Sequence, residues 1–143
     1  MFKRKSYVDP VSITFAAVDA VAQQDVSAIK ASALQLQQLS AQDIFGALGD
    51  VFTRIRPALK PEQLDIISAE IGAADGPVSV RQAVADIGDA LMIKCDPQLA
   101  ATKIAEHATH LAGEQGEWAG IVWETVEAAG RSWRRLEIKA NWR

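Results

Sequence analysis

Residues 79–111 read SVRQAVADIGDALMIKCDPQLAATKIAEHATHL, two helical patterns meeting at a sharp corner. Ser79, followed three residues later by Gln82, has the Ser-x-x-Gln form of a capping box. In that motif the hydroxyl and the amide satisfy backbone N–H groups that a helix start leaves unpaired. Val80, Val84, Ile87 and Leu91 then recur at four, three and four, one apolar stripe of a 3.6-residue period. The chain restarts at Asp96-Pro97, since Asp is a favoured N-cap and Pro suits the first helical position, having no N–H to leave orphaned. Leu99, Ile104, Ala108 and Leu111 are expected to carry the second buried face, with Gly113 as a left-handed stop.

Working outward, the clearest amphipathic segment follows the cap-like Ser40-Ala41-Gln42-Asp43. Ile44, Phe45, Leu48, Val51, Phe52 and Ile55 form its stripe, and Arg56-Pro57 ends it because a residue before proline resists the helical region. Lys60-Pro61 opens another helix carrying Leu64, Ile67 and Ile71, and Asp75-Gly76-Pro77 is a turn. From Ala16 to Leu39 the chain is rich in Ala and Gln with neither Gly nor Pro, a helical stretch with a break expected near Asp25–Ser27. Trp118, Val122, Val126, Ala129, Trp133 and Leu136 predict a last helix from about Glu117 to Leu136, with Ile121 and Trp123 off or at the edge of its stripe. At the start, Val11, Ile13 and Phe15 alternate with Ser12 and Thr14. That pattern admits either a short β-hairpin within residues 1–15 or a loop running into the first helix. The fold expected is therefore mainly α: one helical domain over residues 1–143, of five or six helices, ending in a basic tail at 137–143.

At 143 residues and 49% hydrophobic content, the chain can bury about 68–70% of its unfolded surface without a metal or disulfide. Its single Cys95 cannot form an internal disulfide, and no apolar run approaches the ~20 residues of a membrane helix. Polar residues interrupt any signal-like core after Lys3-Arg4-Lys5, so the expected location is cytoplasmic. Charge is uneven: residues 6–130 hold seven basic against seventeen acidic groups, while both ends are basic. Such a body repels nucleic acid in general, yet the ends remain available to an acidic partner.

No catalytic signature stands out. Glu106, His107, His110 and Glu114 could present two imidazoles and a carboxylate on one helix face, but the spacing is not His-Glu-x-x-His. The segment reads as a solvated face, with no metal and no cofactor. Cys95, just before the Asp96 cap, is placed where a helix dipole favours thiolate, yet no base is assigned to it and it reads as a small core residue. The C-terminal segment interleaves Arg131, Arg134, Arg135, Lys139 and Arg143 with Trp133 and Trp142, a combination able to bind phosphates and stack on bases. Trp118, Trp123, Trp133 and Trp142 lie among the last 26 residues, and tryptophan is enriched at protein-binding hot spots. These four, with Arg131, Arg134 and Arg135, are the candidate partner-binding residues. Trp123→Ala is expected to weaken partner binding while leaving the melting temperature nearly unchanged.

The order of features resembles the tail assembly chaperones of long-tailed bacteriophages, in particular the lambda-type minor tail protein G family. The resemblance is carried by Met1-Phe2-Lys3, Ser6-Tyr7 and Val11–Phe15, which look like a short β segment. It continues in Gln82-Ala83-Val84, Ile87, Leu91-Met92 and the corner Cys95-Asp96-Pro97, and in Leu111-Ala112-Gly113. The Trp- and Arg-rich C-terminus departs from the family pattern. The resemblance implies a non-enzymatic protein of the infected cell that binds the long helical tape-measure protein and keeps it soluble during tail assembly. A groove for such a partner is expected between the Ile44–Ile55 helix and the Trp118–Leu136 helix, and self-association through an open hairpin edge is a further expectation. The alternative reading is a small helical nucleic-acid-associated protein using Arg131, Arg134, Arg135 and Lys139.

Overall fold

The computed structural model describes residues 9–111 and 115–137, and these residues are mainly helical. Seven α-helices occur among them: α1 (Pro10–Gln23), α2 (Val26–Leu36), α3 (Ala41–Ile55), α4 (Pro61–Gly72), α5 (Val78–Gly88), α6 (Pro97–His110) and α7 (Gln115–Leu136). A 3₁₀ turn at Arg56–Ala58 follows α3, and a π-helical turn at Asp89–Ile93 extends α5.

The hairpin expectation fails over Pro10–Phe15, which is the start of α1; Met1–Val8 lie outside the described residues. Asp9-Pro10 opens α1 as Asp96-Pro97 opens α6. The Asp9 carboxylate accepts from Val11 N (3.1 Å) and from the Ser12 hydroxyl (2.6 Å), and proline fills the first helical position. The face that α1 buries is Thr14, Ala17 and Val18, at helical spacing, while Val11, Ile13 and Phe15 are only half-buried. Five alternating residues are too few to distinguish the two periods. The Ala16–Leu39 stretch breaks at Gln24, in the left-handed region (φ 56°), and Asp25 caps α2 through Ala28 N. This break, which divides the stretch into α1 and α2, makes the count seven rather than five or six.

α3 buries Ile44, Phe45, Leu48, Val51, Phe52 and Ile55, and the Ser40 hydroxyl caps it through Asp43 N (3.0 Å). Asp96 accepts from Gln98 N and Leu99 N, so the corner forms as read. The capping box at Ser79 does not: the N-cap of α5 is Pro77, two residues earlier, and the Ser79 hydroxyl donates instead to Glu117 Oε2 of α7 (3.0 Å). The 79–111 stretch is central only in its first half. Val80, Ala83, Val84, Ile87, Ala90, Leu91 and Met92 are buried, whereas α6 buries Ala100 alone and leaves Ala108 exposed. The element at the centre is α7, which packs against α1, α3, α4 and α5. Ile121, expected at the edge of its stripe, is fully buried. Gly113 lies outside the described residues.

Candidate functional site

The two faces of α3 have different fates. Its large apolar stripe enters the core, and the opposite face presents Gln42, Gly46, Gly49, Asp50 and Thr53. Over that face the π turn brings Leu91 so close that a Cβ on Gly49 would stand 3.2 Å from Leu91 Cδ2. The backbone then turns away at Cys95, which adopts a left-handed φ of 49°, unusual for a residue with a side chain. Arg56 Nε donates to Ile93 O (2.9 Å) and Asp96 N to Ala90 O (3.0 Å), which tie this corner to the end of α3 and to the π turn.

Residues of α3, the π turn, the corner and α6 line an open groove of about 730 Å³. Gly46 and Gly49 stand on one wall; Ala100, Ala101, Ile104 and Ala105 stand on the other. Trp118 of α7 also lines it, packed edge-to-face on Phe45 with ring centroids 6.0 Å apart. Walls of glycine and alanine leave room for a third helix to approach both backbones closely. The charged side chains that line it are Asp50 and Asp96, both acidic.

The groove is not where the sequence placed it. Between α3 and α7 the space is filled by Phe45–Trp118 and by Phe52–Trp133, and α7 contributes only Trp118 to the groove lining. Trp133 is 4% exposed and packs edge-to-face on Phe15 (5.2 Å) and Phe52 (6.1 Å), a core position. Trp123 is half-buried against the core, and its indole N–H donates to Glu127. Trp142, Lys139 and Arg143 lie outside the described residues.

The arginines of α7 hold helices together. Arg131 Nε donates to Glu70 Oε1 (2.9 Å) and its terminal nitrogen to Glu70 O (3.0 Å), while Arg135 reaches Glu70 Oε2 (2.8 Å). Arg134 donates to Ala22 O of α1 (3.5 Å). Burial alone would raise the Glu70 carboxyl, but the hydrogen bonds and charges of Arg135 and Arg131 outweigh it and hold Glu70 below the ordinary carboxylate range. Two of the cations that nucleic-acid binding would need are thereby committed to a carboxylate of the same chain.

Burial raises the Cys95 thiol above its ordinary range, by more than the neighbouring Thr53 and Arg56 lower it. The dipole effect expected at a helix start does not win there. Cys95 lines the groove, whereas His107 and His110 line a separate pocket with Ser79, Gln82 and Glu106, and His107 Nε2 lies 2.9 Å from Asp86 Oδ2. Glu114 lies outside the described residues. Among those residues no three His, Cys, Asp or Glu side chains come together as a metal-holding group.

Sequence reasoning missed the groove residues Gly46, Gly49, Ala101 and Ala105. The signal was present: Gln42, Gly46, Gly49 and Thr53 recur at four, three and four on the face of α3 opposite its apolar stripe. In comparisons with known proteins, no family model, no curated relative and no solved structure matches the chain.

Proposed function

We propose that this chain is a non-enzymatic protein-binding module whose α3/α6 groove receives an apolar helical segment of another protein, and that its specific role is that of a phage tail assembly chaperone. The groove is the observation that carries the reading: an open, small-residue channel flanked by helices in an otherwise acidic body. A tape-measure chain exposes apolar helical stripes until the tail tube covers them, and such stripes aggregate unless masked. The resemblance adds to this. Leu91, Cys95, Asp96 and Pro97, which carry part of it, also line the groove. Its N-terminal β portion gives no support, because Val11–Phe15 are helical.

Co-expression with a helical fragment of a tape-measure protein tests the reading. The fragment is expected in the soluble fraction with the wild-type chain, and in the pellet with Trp118→Ala or Gly46→Leu, both of which alter the groove. A fragment that stays insoluble beside the wild-type chain, from a gene neighbourhood without tail genes, overturns it.

A further inference from the structure

No other helix of the fold buries so little as α6: Ala100 is its one buried residue, with Leu111 buried just past its end. Leu99, Lys103, Ile104 and His107 are half-buried, and the remaining residues of the helix are exposed. Its substantial neighbours are α5 and the π turn, and neither α3 nor α4 packs closely on it. A hollow lies along each flank instead. Ala101 and Ala105 line the groove shared with α3. Leu99 and Lys103, on the opposite flank at helical spacing, line a second cleft of about 620 Å³ together with Ser68 and Gly72 of α4. α6 thus stands on a ridge made by α5 and the π turn, with open space on both sides.

The two ends of the helix are held differently. At its start the corner is pinned, Asp96 N donating to Ala90 O (3.0 Å) and Arg56 Nε to Ile93 O (2.9 Å), while Lys94, Asp96, Pro97 and Gln98 are exposed. Cys95, at φ 49°, turns the chain there, and a hinge needs no more than a few element-terminal residues free to change φ and ψ. Toward the far end, His107 Nε2 lies 2.9 Å from Asp86 Oδ2 of α5, whereas the Thr102–Gln98 and Lys103–Glu106 contacts stay within the helix. A segment with few buried apolar contacts and a largely exposed backbone is where a native protein opens first. We infer that α6 is a hinged strap: it lifts from α5 as one unit about residues 95–97, with the His107–Asp86 contact as its latch, while α3, α5 and α7 stay folded. Lifting removes one wall from each hollow and joins the two across the face of α5 that the helix covers. The strap is a property of the free chain and does not depend on what the groove receives.

Amide hydrogen exchange of the full chain, followed residue by residue at fixed pH and corrected for intrinsic rates, tests it. The central amides of α6 are expected to share one level of protection, at least about tenfold below that of α5 and α7. The Asp86 side chain is half exposed, so replacing it leaves the core intact. Asp86→Ala and His107→Ala each remove the latch, and each is expected to speed exchange in α6 by about fivefold while α7 is unchanged. Because the two residues act as one contact, the double variant is expected to match either single one. Asp86→Asn keeps an acceptor for an imidazole N–H and is expected to recover part of the protection. An α6 as protected as α7, α5 and α6 exchanging at one level, single variants that leave α6 unchanged, or effects that multiply in the double variant overturn the inference.

Discussion

Gly130 of α7 lies against Val21 of α1 so closely that a Cβ on the glycine would stand 2.5 Å from the valine's Cβ and 3.0 Å from the carbonyl oxygen of Val18. The α1–α7 interface is the most extensive in the fold, and this glycine sets how near the two backbones come. Gly130→Ala therefore forces the helices apart despite alanine's better helix propensity. A loss of about 1–3 kcal/mol is expected in urea unfolding, the usual penalty of overpacking a closed interface. Gly120→Ala is the control, because a Cβ there meets nothing within 4 Å.

The Glu70 pairing with Arg131 and Arg135 gives stability a pH dependence. Its carboxyl is depressed in the folded state relative to an ordinary value of about 4.3, so the unfolded chain binds its proton first as pH falls. The contribution is fully present above that value and is lost as pH drops through the lower folded one. Denaturation midpoints measured from pH 7 to pH 3 are expected to stay level from this group down to about 5 and then decline. Glu70→Gln should flatten part of the decline and remove on the order of 1 kcal/mol at pH 7, since the pair is partly solvated.

Cys95 should behave as a slow thiol. With its thiolate disfavoured by burial, alkylation by iodoacetamide at pH 7 is expected to run several-fold slower in the native chain than in the urea-unfolded one, and to accelerate as pH rises. Native reaction as fast as that of the unfolded chain would show that the groove wall at Cys95 opens readily to solvent.

Thr14 and Ser132 are fully buried hydroxyl residues, on α1 and α7, whose side-chain oxygens have no hydrogen-bond partner among the described residues. An unsatisfied buried hydroxyl opposes folding, so Thr14→Val and Ser132→Ala are each expected to raise stability by about 1 kcal/mol. Thermal unfolding should show both midpoints moving upward by a few degrees.

What the sequence determined by itself is what lies within a turn or two of chain. The α3 stripe, the Ser40 cap and the Asp96-Pro97 corner were all legible, because caps and i, i+4 spacing are satisfied by neighbours in sequence. Asp9-Pro10 carries the same start signal, unread beside a five-residue alternation that two periods fit equally well. Only the tertiary structure decided the rest. Glu70 meets Arg131 and Arg135 from 61 and 65 residues away, Ser79 leaves its own helix start for Glu117, and Trp133 goes to the core while Trp118 reaches the groove. The groove is lined jointly by the small-residue face of α3 and by α6, which meet it from opposite sides of the corner at Cys95. Which helices meet, and which faces they leave open, depends on the packing of side chains distant in sequence, and no local period encodes that.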